Sequence, residues 1–196
     1  MKYTFLFAIL IFVGCSPVAK MLYGIKKPKV ENKKTLTEYM MKLKMQQQNV
    51  YALSFEEFKP SLKRIKNSIP EVLIFNSQGK YIPYGDEYAC NAHAFDFIEK
   101  LNRNSVYTIS DNLNMATISK GLCNLDGVQV VEPISENTDF YVFIYWAKWA
   151  GKLNKDHVVV WEKQALENQH ANIKLITVNV DSQVFWGSEN LKKVGF

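Results

Sequence analysis

Two long apolar runs near the C-terminus are the clearest pattern in the chain. Residues 139–146, "DFYVFIYW", and residues 172–181, "NIKLITVNVD", each predict a buried strand. The segment between them predicts a helix, because three residues recur about one turn apart: His157, Trp161 and Ala165. Within it, however, Val158–Val160 is β-prone. The order strand, helix, strand predicts a βαβ unit with parallel strands and an α/β fold.

The middle of the chain predicts a hairpin followed by a helix. Val72–Phe75 is a continuous apolar run, typical of a strand covered on both faces. Gly79 suits a tight turn, and the return strand 80–84 is expected at the edge of a sheet, since Pro83 cannot donate to a central ladder. The helix that follows has an apolar face made of Ala94, Phe97, Ile98 and Leu101.

The preceding segment predicts two helices around a short strand. Residues 34–50 favour a helix and residues 49–53 a strand. Ser54 with Glu57 three residues later is a capping-box signature for the second helix, in which Pro60 predicts a kink or a break. Two stretches are less regular: 103–136, where short strands or irregular wrapping are expected, and 182–196, where no clear element is expected.

Residues 1–14 are predicted to be a signal peptide. The apolar run "YTFLFAILIFVG" follows Lys2 and is short for a membrane span. It ends at Gly14 and Cys15, which resemble the lipobox of bacterial lipoproteins, although Phe12 stands where leucine is usual. The resemblance implies that Cys15 is lipidated and becomes the mature N-terminus. The alternative is a plain cleaved signal peptide.

Residues 15–34 are predicted to be a lipidated tether, ahead of a single domain at 35–196. The tether carries six lysines against one acid, which suggests a solvated linker with weak attraction to anionic headgroups. Ser16 is not the acidic residue that typically retains lipoproteins in the inner membrane. The resemblance therefore implies a location in the bacterial cell envelope, at the periplasmic face of the outer membrane, with the membrane reached through the lipid anchor.

The charge pattern argues against a nucleic-acid partner. The formal net charge is only +5, and the two arginines, Arg64 and Arg103, lie far apart in the sequence. No Gly-rich phosphate loop is present, and the three histidines lack the paired spacing of metal ligands. The sequence therefore predicts neither a metal nor a cofactor.

The segment "WAKWAGKL", between the first buried strand and the helix, resembles an active site that has lost its thiols. With its flanks and the closing "VNVD", it resembles the thioredoxin superfamily, in particular the envelope-anchored oxidoreductases of bacteria. The family motif is Trp-Cys-x-x-Cys. Aligned on Trp149, its cysteines fall on Ala150 and Leu153, while Gly151 fits and Lys152 occupies a variable position.

A second stretch, "SIPEVLIFNSQGKYI…AFDFIEKL", resembles the C-terminal half of the same family. The resemblance implies that Pro70 is the cis-proline that opens a strand. In standard members this half follows the active-site unit, whereas here it precedes it. Either the domain is circularly permuted, or residues 50–101 form a separate partial unit. We favour one composite thioredoxin-like mixed sheet flanked by helices.

Thiol–disulfide exchange requires a thiolate, and Ala150 and Leu153 cannot supply one. The expected function is therefore a redox-inactive binding or chaperone-like module for an unknown envelope protein. The resemblance implies a partly exposed Trp149 that could anchor a partner; the alternative is that Trp149 packs as part of the scaffold. One alternative is an oxidoreductase that uses Cys90 and Cys123, which could equally form a structural disulfide or stay buried thiols. Another is a purely structural lipoprotein.

Overall fold

The computed structural model describes residues 20–65, 68–85, 91–130 and 137–196. The signal peptide at 1–14, Cys15 and Cys90 lie outside these ranges. The elements in chain order are β1 (Val30–Glu31), α1 (Lys33–Leu43), β2 (Val50–Leu53), α2 (Phe55–Arg64), β3 (Glu71–Asn76), β4 (Lys80–Ile82), α3 (His93–Glu99), β5 (Ser110–Asn114), α4 (Met115–Ser119), β6 (Leu122–Cys123), β7 (Phe140–Trp146), a 3₁₀ turn (Lys148–Ala150), a π-helical turn (Asn154–Val158), α5 (Val159–Glu167), β8 (Ile173–Asn179), β9 (Ser182–Gln183), a 3₁₀ turn (Val184–Trp186) and α6 (Ser188–Lys193).

Seven strands form one mixed sheet in the order β5-β4-β3-β7-β8-β2-β6. Strands β7, β8 and β2 are parallel to one another, and the other neighbouring pairs are antiparallel. Strands β1 and β9 form a separate parallel pair. The predicted α/β class, with a mixed sheet flanked by helices, is confirmed. The predicted parallel βαβ unit is present as β7, α5 and β8.

Alternate residues of the central strands face two separate cores. Val72, Ile74, Val142 and Ile144 pack with residues of α1, α3 and α5 on one face. Their neighbours in β3 and β7 pack on the other face with Ile65, Met115 and Ile118. Because apolar groups cover both faces, the strands need continuous apolar runs rather than alternation. The β-prone Val158–Val160 is nevertheless helical, since Val158 is fully buried in the first core.

The two segments that resemble halves of one family lie side by side in a single sheet. β3 pairs antiparallel with β7 over six residue pairs, from Glu71 opposite Tyr145 to Asn76 opposite Phe140. The two halves therefore share one hydrogen-bonded ladder and the same two cores. Residues 50–101 are not a separate unit.

The predicted edge position of the return strand is wrong. β4 lies between β3 and β5, and it pairs with β5 through Lys80 and Tyr81. The strand ends at Ile82, so Pro83 follows it and its missing N–H removes no ladder hydrogen bond. The proline limits the length of β4 rather than its place in the sheet.

Pro60 does not break the second helix. α2 continues through Pro60 to Arg64, and the proline is exposed to solvent. Only one of the two hydrogen bonds of the predicted capping box forms at the start of this helix. The Ser54 hydroxyl accepts a hydrogen bond from the Glu57 amide at 3.3 Å. The Glu57 carboxylate pairs with Arg64 at 2.8 Å, while the Ser54 amide donates to the Gly121 carbonyl.

Folded structure begins before residue 35, the expected start of the domain. Val30 and Glu31 pair with β9, and α1 starts at Lys33, capped by the Asn32 side chain. Residues 20–26 are also held against the domain, as described below. A solvated linker was expected over residues 15–34. Instead, residues 20–26 and 30–34 are held on the domain, largely by backbone hydrogen bonds.

The two irregular stretches contain elements that the pattern did not predict. "ATIS" belongs to helix α4 rather than to a strand, "VYTI" precedes strand β5, and residues 131–136 lie outside the described ranges. The tail forms β9, a 3₁₀ turn and α6. Buried Trp186 anchors it by donating to the Leu53 carbonyl at 2.9 Å. Among the described residues, no helix has the length and apolarity needed to cross a bilayer.

Candidate functional site

The turn after β7 holds the five motif residues. Lys148–Ala150 form a single 3₁₀ turn, and Gly151 follows with φ +64° and ψ −125°. This backbone conformation is open to glycine and strained for residues with a Cβ. The next helical turn begins at Lys152. The motif therefore spans the junction between a central strand and the start of a helix.

The five side chains differ in their access to solvent. Lys152 is exposed, and Trp149 is half-buried against the core that contains Phe143 and Tyr145. Ala150 is fully buried, and Leu153 is half-buried. The positions expected for two cysteines thus carry apolar side chains with no nucleophilic atom. Among the five motif residues, the partly exposed aromatic ring of Trp149 and the exposed ammonium group of Lys152 are the polar or aromatic groups that a second molecule could contact.

Pro70 lies next to this turn. The Ile69–Pro70 peptide bond is cis, and Pro70 is buried. Because Glu71 is opposite Tyr145 in the β3–β7 ladder, Pro70 stands level with Trp146, at the end of β7 where the turn starts. The Pro70 carbonyl accepts a hydrogen bond from the Asn91 side chain at 2.6 Å. The ladder therefore brings together two motifs that lie far apart in sequence.

Cys123 is not part of this turn. It is buried in β6, the edge strand that pairs with β2. Burial raises its pKa, and the nearby Glu56 carboxylate raises it further. A thiol with a raised pKa forms little thiolate near neutral pH, so it is a poor nucleophile. Its pairing with Cys90 is untested, since Cys90 lies outside the described residues.

Residues 20–26 cover the motif turn. They make a helical turn that ends at Gly24, which has φ +61°. The Ile25 amide donates to the Lys20 carbonyl at 2.9 Å, and the Gly24 amide donates to the Met21 carbonyl at 3.2 Å. This pair of bonds is the Schellman motif of helix C-termini. We call residues 20–26 the strap.

Two backbone hydrogen bonds hold the strap on the turn. The Lys152 amide donates to the Tyr23 carbonyl at 2.7 Å, and the Lys26 amide donates to the Trp149 carbonyl at 2.9 Å. The backbones touch closely at Gly151, where an added Cβ would lie 2.4 Å from the Gly24 oxygen. The Tyr23 carbonyl thus satisfies an amide at the start of a helix, where unpaired N–H groups are normal.

An ion pair joins the motif turn to β1. The Lys148 ammonium is 2.7 Å from the Glu31 carboxylate, whose side chain is only 6% exposed. The Thr35 hydroxyl donates to the same carboxylate oxygen at 2.6 Å. The main-chain amide of Lys148 donates to Asp181 at 2.7 Å. Lys148 therefore links β1, the motif turn and the end of β8.

Asp181 is the most unusual acid of this cluster. It is 2% exposed, and one carboxylate oxygen accepts from both the Lys148 amide and the Asn179 side chain. Its other oxygen has no hydrogen-bond partner among the described residues. Burial raises the pKa of Asp181 to about 6, against the lowering effect of those hydrogen bonds. The carboxyl therefore titrates nearer to neutral pH than a surface aspartate.

The helix side of the turn is fixed by a second polar contact. The buried Asn154 side chain donates to the Ala147 carbonyl at 2.7 Å and to the Tyr39 hydroxyl at 2.9 Å. The Tyr39 ring stacks on Trp146, with ring centroids 6.0 Å apart and planes 8° from parallel. Contacts from α1 and from the ends of β7 and β8 therefore hold the turn in a fixed position.

Four polar residues near the motif were not predicted from the sequence pattern: Glu31, Asp181, Asn154 and Tyr39. One signal was available for Asp181, since an acid directly after a long buried strand lies at the carboxyl end of a parallel sheet, where sites form. The other three are brought in by pairings that no local pattern encodes. Among the described residues, no three His, Cys, Asp or Glu side chains are placed to hold a metal ion.

The chain matches no protein-family model, no curated protein and no solved structure.

Proposed function

We propose that this chain is a redox-inactive, thioredoxin-like lipoprotein of the bacterial cell envelope with a permuted order of elements. In this proposal it acts as a binding or chaperone-like module for an envelope protein, through the surface around Trp149, Gly151, Lys152 and Pro70. The observation that carries the proposal is the β3–β7 ladder, which places the Pro70 end of β3 beside the motif turn.

The order of elements in the sheet supports the thioredoxin-like assignment. The family has a strand–motif–helix–strand unit and a second half made of a proline-opened strand, a glycine turn, another strand and a helix. Here β7, α5 and β8 correspond to the first half, and β3, β4 and α3 to the second. The second half comes first in the chain yet packs in the same sheet, as expected for a permuted domain.

The chemistry of the motif supports the absence of redox activity. Ala150 and Leu153 carry no sulfur, and Cys123 is buried in a distant edge strand with a raised pKa. An oxidoreductase that uses Cys90 and Cys123 would need a reactive thiol, and the burial of Cys123 argues against one. The lipoprotein part of the proposal rests on the lipobox-like residues around Cys15.

A rigid turn with a half-exposed tryptophan and an exposed lysine supports a binding role. Aromatic side chains are frequent anchors in protein interfaces, and Trp149 is partly exposed. The strap already covers the backbone at Gly151, so a partner would contact Trp149 and Lys152 at the rim of the strap. A purely structural lipoprotein would have no use for that exposed pair.

Site-specific photocrosslinking in the envelope tests the proposal. A photoreactive amino acid replaces Lys152 in the full chain, and a control chain carries it at Lys80. Lys80 is exposed at the start of β4, beside the Asn76 end of β3. Asn76 is opposite Phe140 at the start of β7, so Lys80 lies at the other end of the sheet from the motif turn. We expect a discrete adduct of fixed mass from position 152 that is absent from position 80 and is lost in the Trp149→Ala variant.

Equal adducts at both positions, or none at position 152, would reject the binding surface. The redox part is tested separately with two forms of one substrate protein. The native chain should not speed reduction of the disulfide form by an added dithiol reductant, nor oxidation of the dithiol form by an added disulfide. Turnover that disappears in a Cys123→Ser variant would establish the alternative enzyme instead.

A further inference from the structure

The strap exposes large apolar side chains to solvent. Met21 is 83% exposed, Leu22 61% and Tyr23 42%, on a single helical turn whose ends are held by hydrogen bonds. Elsewhere in the described residues, exposed apolar side chains of this size occur without two such neighbours in sequence. Three consecutive exposed apolar residues on an ordered turn indicate a surface that meets another apolar phase.

The charged residues that flank this patch in sequence have one sign. Lys20, Lys26, Lys27 and Lys29 are exposed, and residues 20–30 contain no acid. The first acid that follows, Glu31, is buried and paired with Lys148. A short apolar patch flanked by lysines is the pattern of segments that lie in the headgroup region of anionic bilayers.

The predicted signal peptide is close to the strap in sequence. Only five residues, 15–19, separate the apolar run 3–14 from Lys20. A fully extended chain covers about 3.5 Å per residue, so five residues span at most about 18 Å. A membrane attachment at Cys15 would therefore hold the strap within this distance of the bilayer surface.

We propose that the strap is a lipid-docking surface: Met21, Leu22 and Tyr23 enter the headgroup region of an anionic bilayer, and the four lysines bind its phosphates. Because the strap is bonded to Trp149 and Lys152, docking orients the whole domain. The motif turn then lies beside the bilayer, and the sheet end that carries Lys80 points away from it. The partner of the motif turn is accordingly a protein segment at the membrane surface.

This inference rests on the proposed function for its membrane location, and depth-dependent quenching tests it. The full chain is reconstituted in vesicles of phosphatidylcholine with phosphatidylglycerol that carry a headgroup nitroxide. A fluorescent amino acid is placed at position 22, and in a control chain at position 80. We expect quenching several-fold stronger at position 22, because interfacial side chains sit about 5–10 Å into the headgroup boundary.

A charge variant tests the role of the lysines. Lys26→Gln with Lys27→Gln should reduce the quenching at position 22, whereas the matched pair Lys192→Gln with Lys193→Gln, exposed on α6, should leave it unchanged. Vesicles of phosphatidylcholine alone should give the lower value even with the native lysines.

The possible failures are distinguishable. A chain that binds the vesicles but is quenched equally at positions 22 and 80 overturns this inference and leaves the proposed function standing. A chain that does not associate with vesicles at all overturns the membrane location and this inference together. Equal effects of the two lysine pairs reject the electrostatic part of the docking.

Discussion

The Tyr23 carbonyl accepts a hydrogen bond from the Lys152 amide at 2.7 Å, across the most conspicuous motif of the chain. A residue expected in a solvated linker thereby satisfies a backbone group at the start of a helix. A helix N-terminus can stabilise the thiolate of a reactive cysteine. At this helix N-terminus the group that accepts from the amide is a neutral carbonyl, and the turn contains no thiol.

Gly151→Ala should release the strap. The substitution forces a side chain into φ +64° and places its Cβ 2.4–2.7 Å from the backbone of Tyr23 and Gly24. We expect the free energy of unfolding to fall by about 1–3 kcal/mol. We also expect the Lys26 and Lys152 amides to lose their protection. Urea unfolding measures the first effect and hydrogen exchange the second.

Gly187→Ala is the matched control. Gly187 also has positive φ, +78°, but a Cβ there has no heavy atom within 4 Å. It should therefore cost stability through backbone strain alone, with the Lys26 and Lys152 amides still protected. Loss of their protection in both variants would show that the strap is released by general destabilisation rather than by contact at Gly151.

Lys148→Met should be far more costly than Lys33→Met. Removal of Lys148 leaves the Glu31 carboxylate, 6% exposed, without its ion-pair partner, which costs about 1–3 kcal/mol. Lys33 pairs with Asp126 at 2.6 Å, but both side chains are more than half exposed, so its loss should change stability by less than about 0.5 kcal/mol. Urea denaturation of both variants checks this, and similar losses would contradict it.

Stability should fall as pH rises from about 4 to about 6 because of Asp181. Burial raises its folded pKa from 3.8 to about 6, so between these values the folded state holds a proton that the unfolded state has released. The contribution is largest below pH 4, and about 2–3 kcal/mol is lost once the folded carboxyl ionises. Unfolding measured across this range should show a smaller decline in Asp181→Asn.

Glu162 provides an internal comparison, because its pKa is raised by burial from 4.5 to about 7. As for Asp181, the raised pKa means that the contribution of Glu162 to folding stability is lost as pH rises, here from 4.5 to about 7. Glu162→Gln keeps an acceptor for the Gln46 amide and should flatten the upper part of the profile. Asp181→Asn should flatten the lower part. Profiles with the native slope in both variants would mean that other groups set the pH dependence.

Ala150→Cys with Leu153→Cys should form an intramolecular disulfide. Ala150 and Leu153 are the ends of a four-residue turn that contains Gly151, with φ +64° and ψ −125°. The end Cα atoms of such a turn lie within about 7 Å, near the range of about 4.4–6.8 Å that a disulfide bridges. Mass spectrometry and thiol titration should show two fewer thiols after mild oxidation than before it. Either single variant should gain one thiol and keep it. Failure of the double variant to oxidise would argue against the geometry proposed for the turn.

Much of the central sheet could be predicted from the sequence. The runs in β3, β7 and β8 are continuous because both faces of each strand are covered, so the pattern is strong and local. Ser54 likewise marked the start of α2 through its own side chain. The prediction from Pro83 was wrong because proline specifies only its own missing N–H, and the strand can end before it.

The polar half of the site could not be predicted in the same way. Glu31 reaches Lys148 only because β1 pairs with β9, and both strands are two residues long. Tyr39 reaches Asn154 because α1 packs across the start of the helix. These contacts join segments distant in sequence, and their residue types carry no periodic signal.

By itself, the sequence determined the secondary structure of the buried strands and the absence of thiol chemistry at Ala150 and Leu153. The first follows from apolar runs that only a doubly covered strand can bury, and the second from the absence of sulfur. Tertiary structure alone decided that Pro70 stands beside the motif and that Tyr23 and Lys26 close over it. The reason is physical: backbone hydrogen bonds between distant segments depend on where the chain is brought together, and no side-chain pattern encodes them.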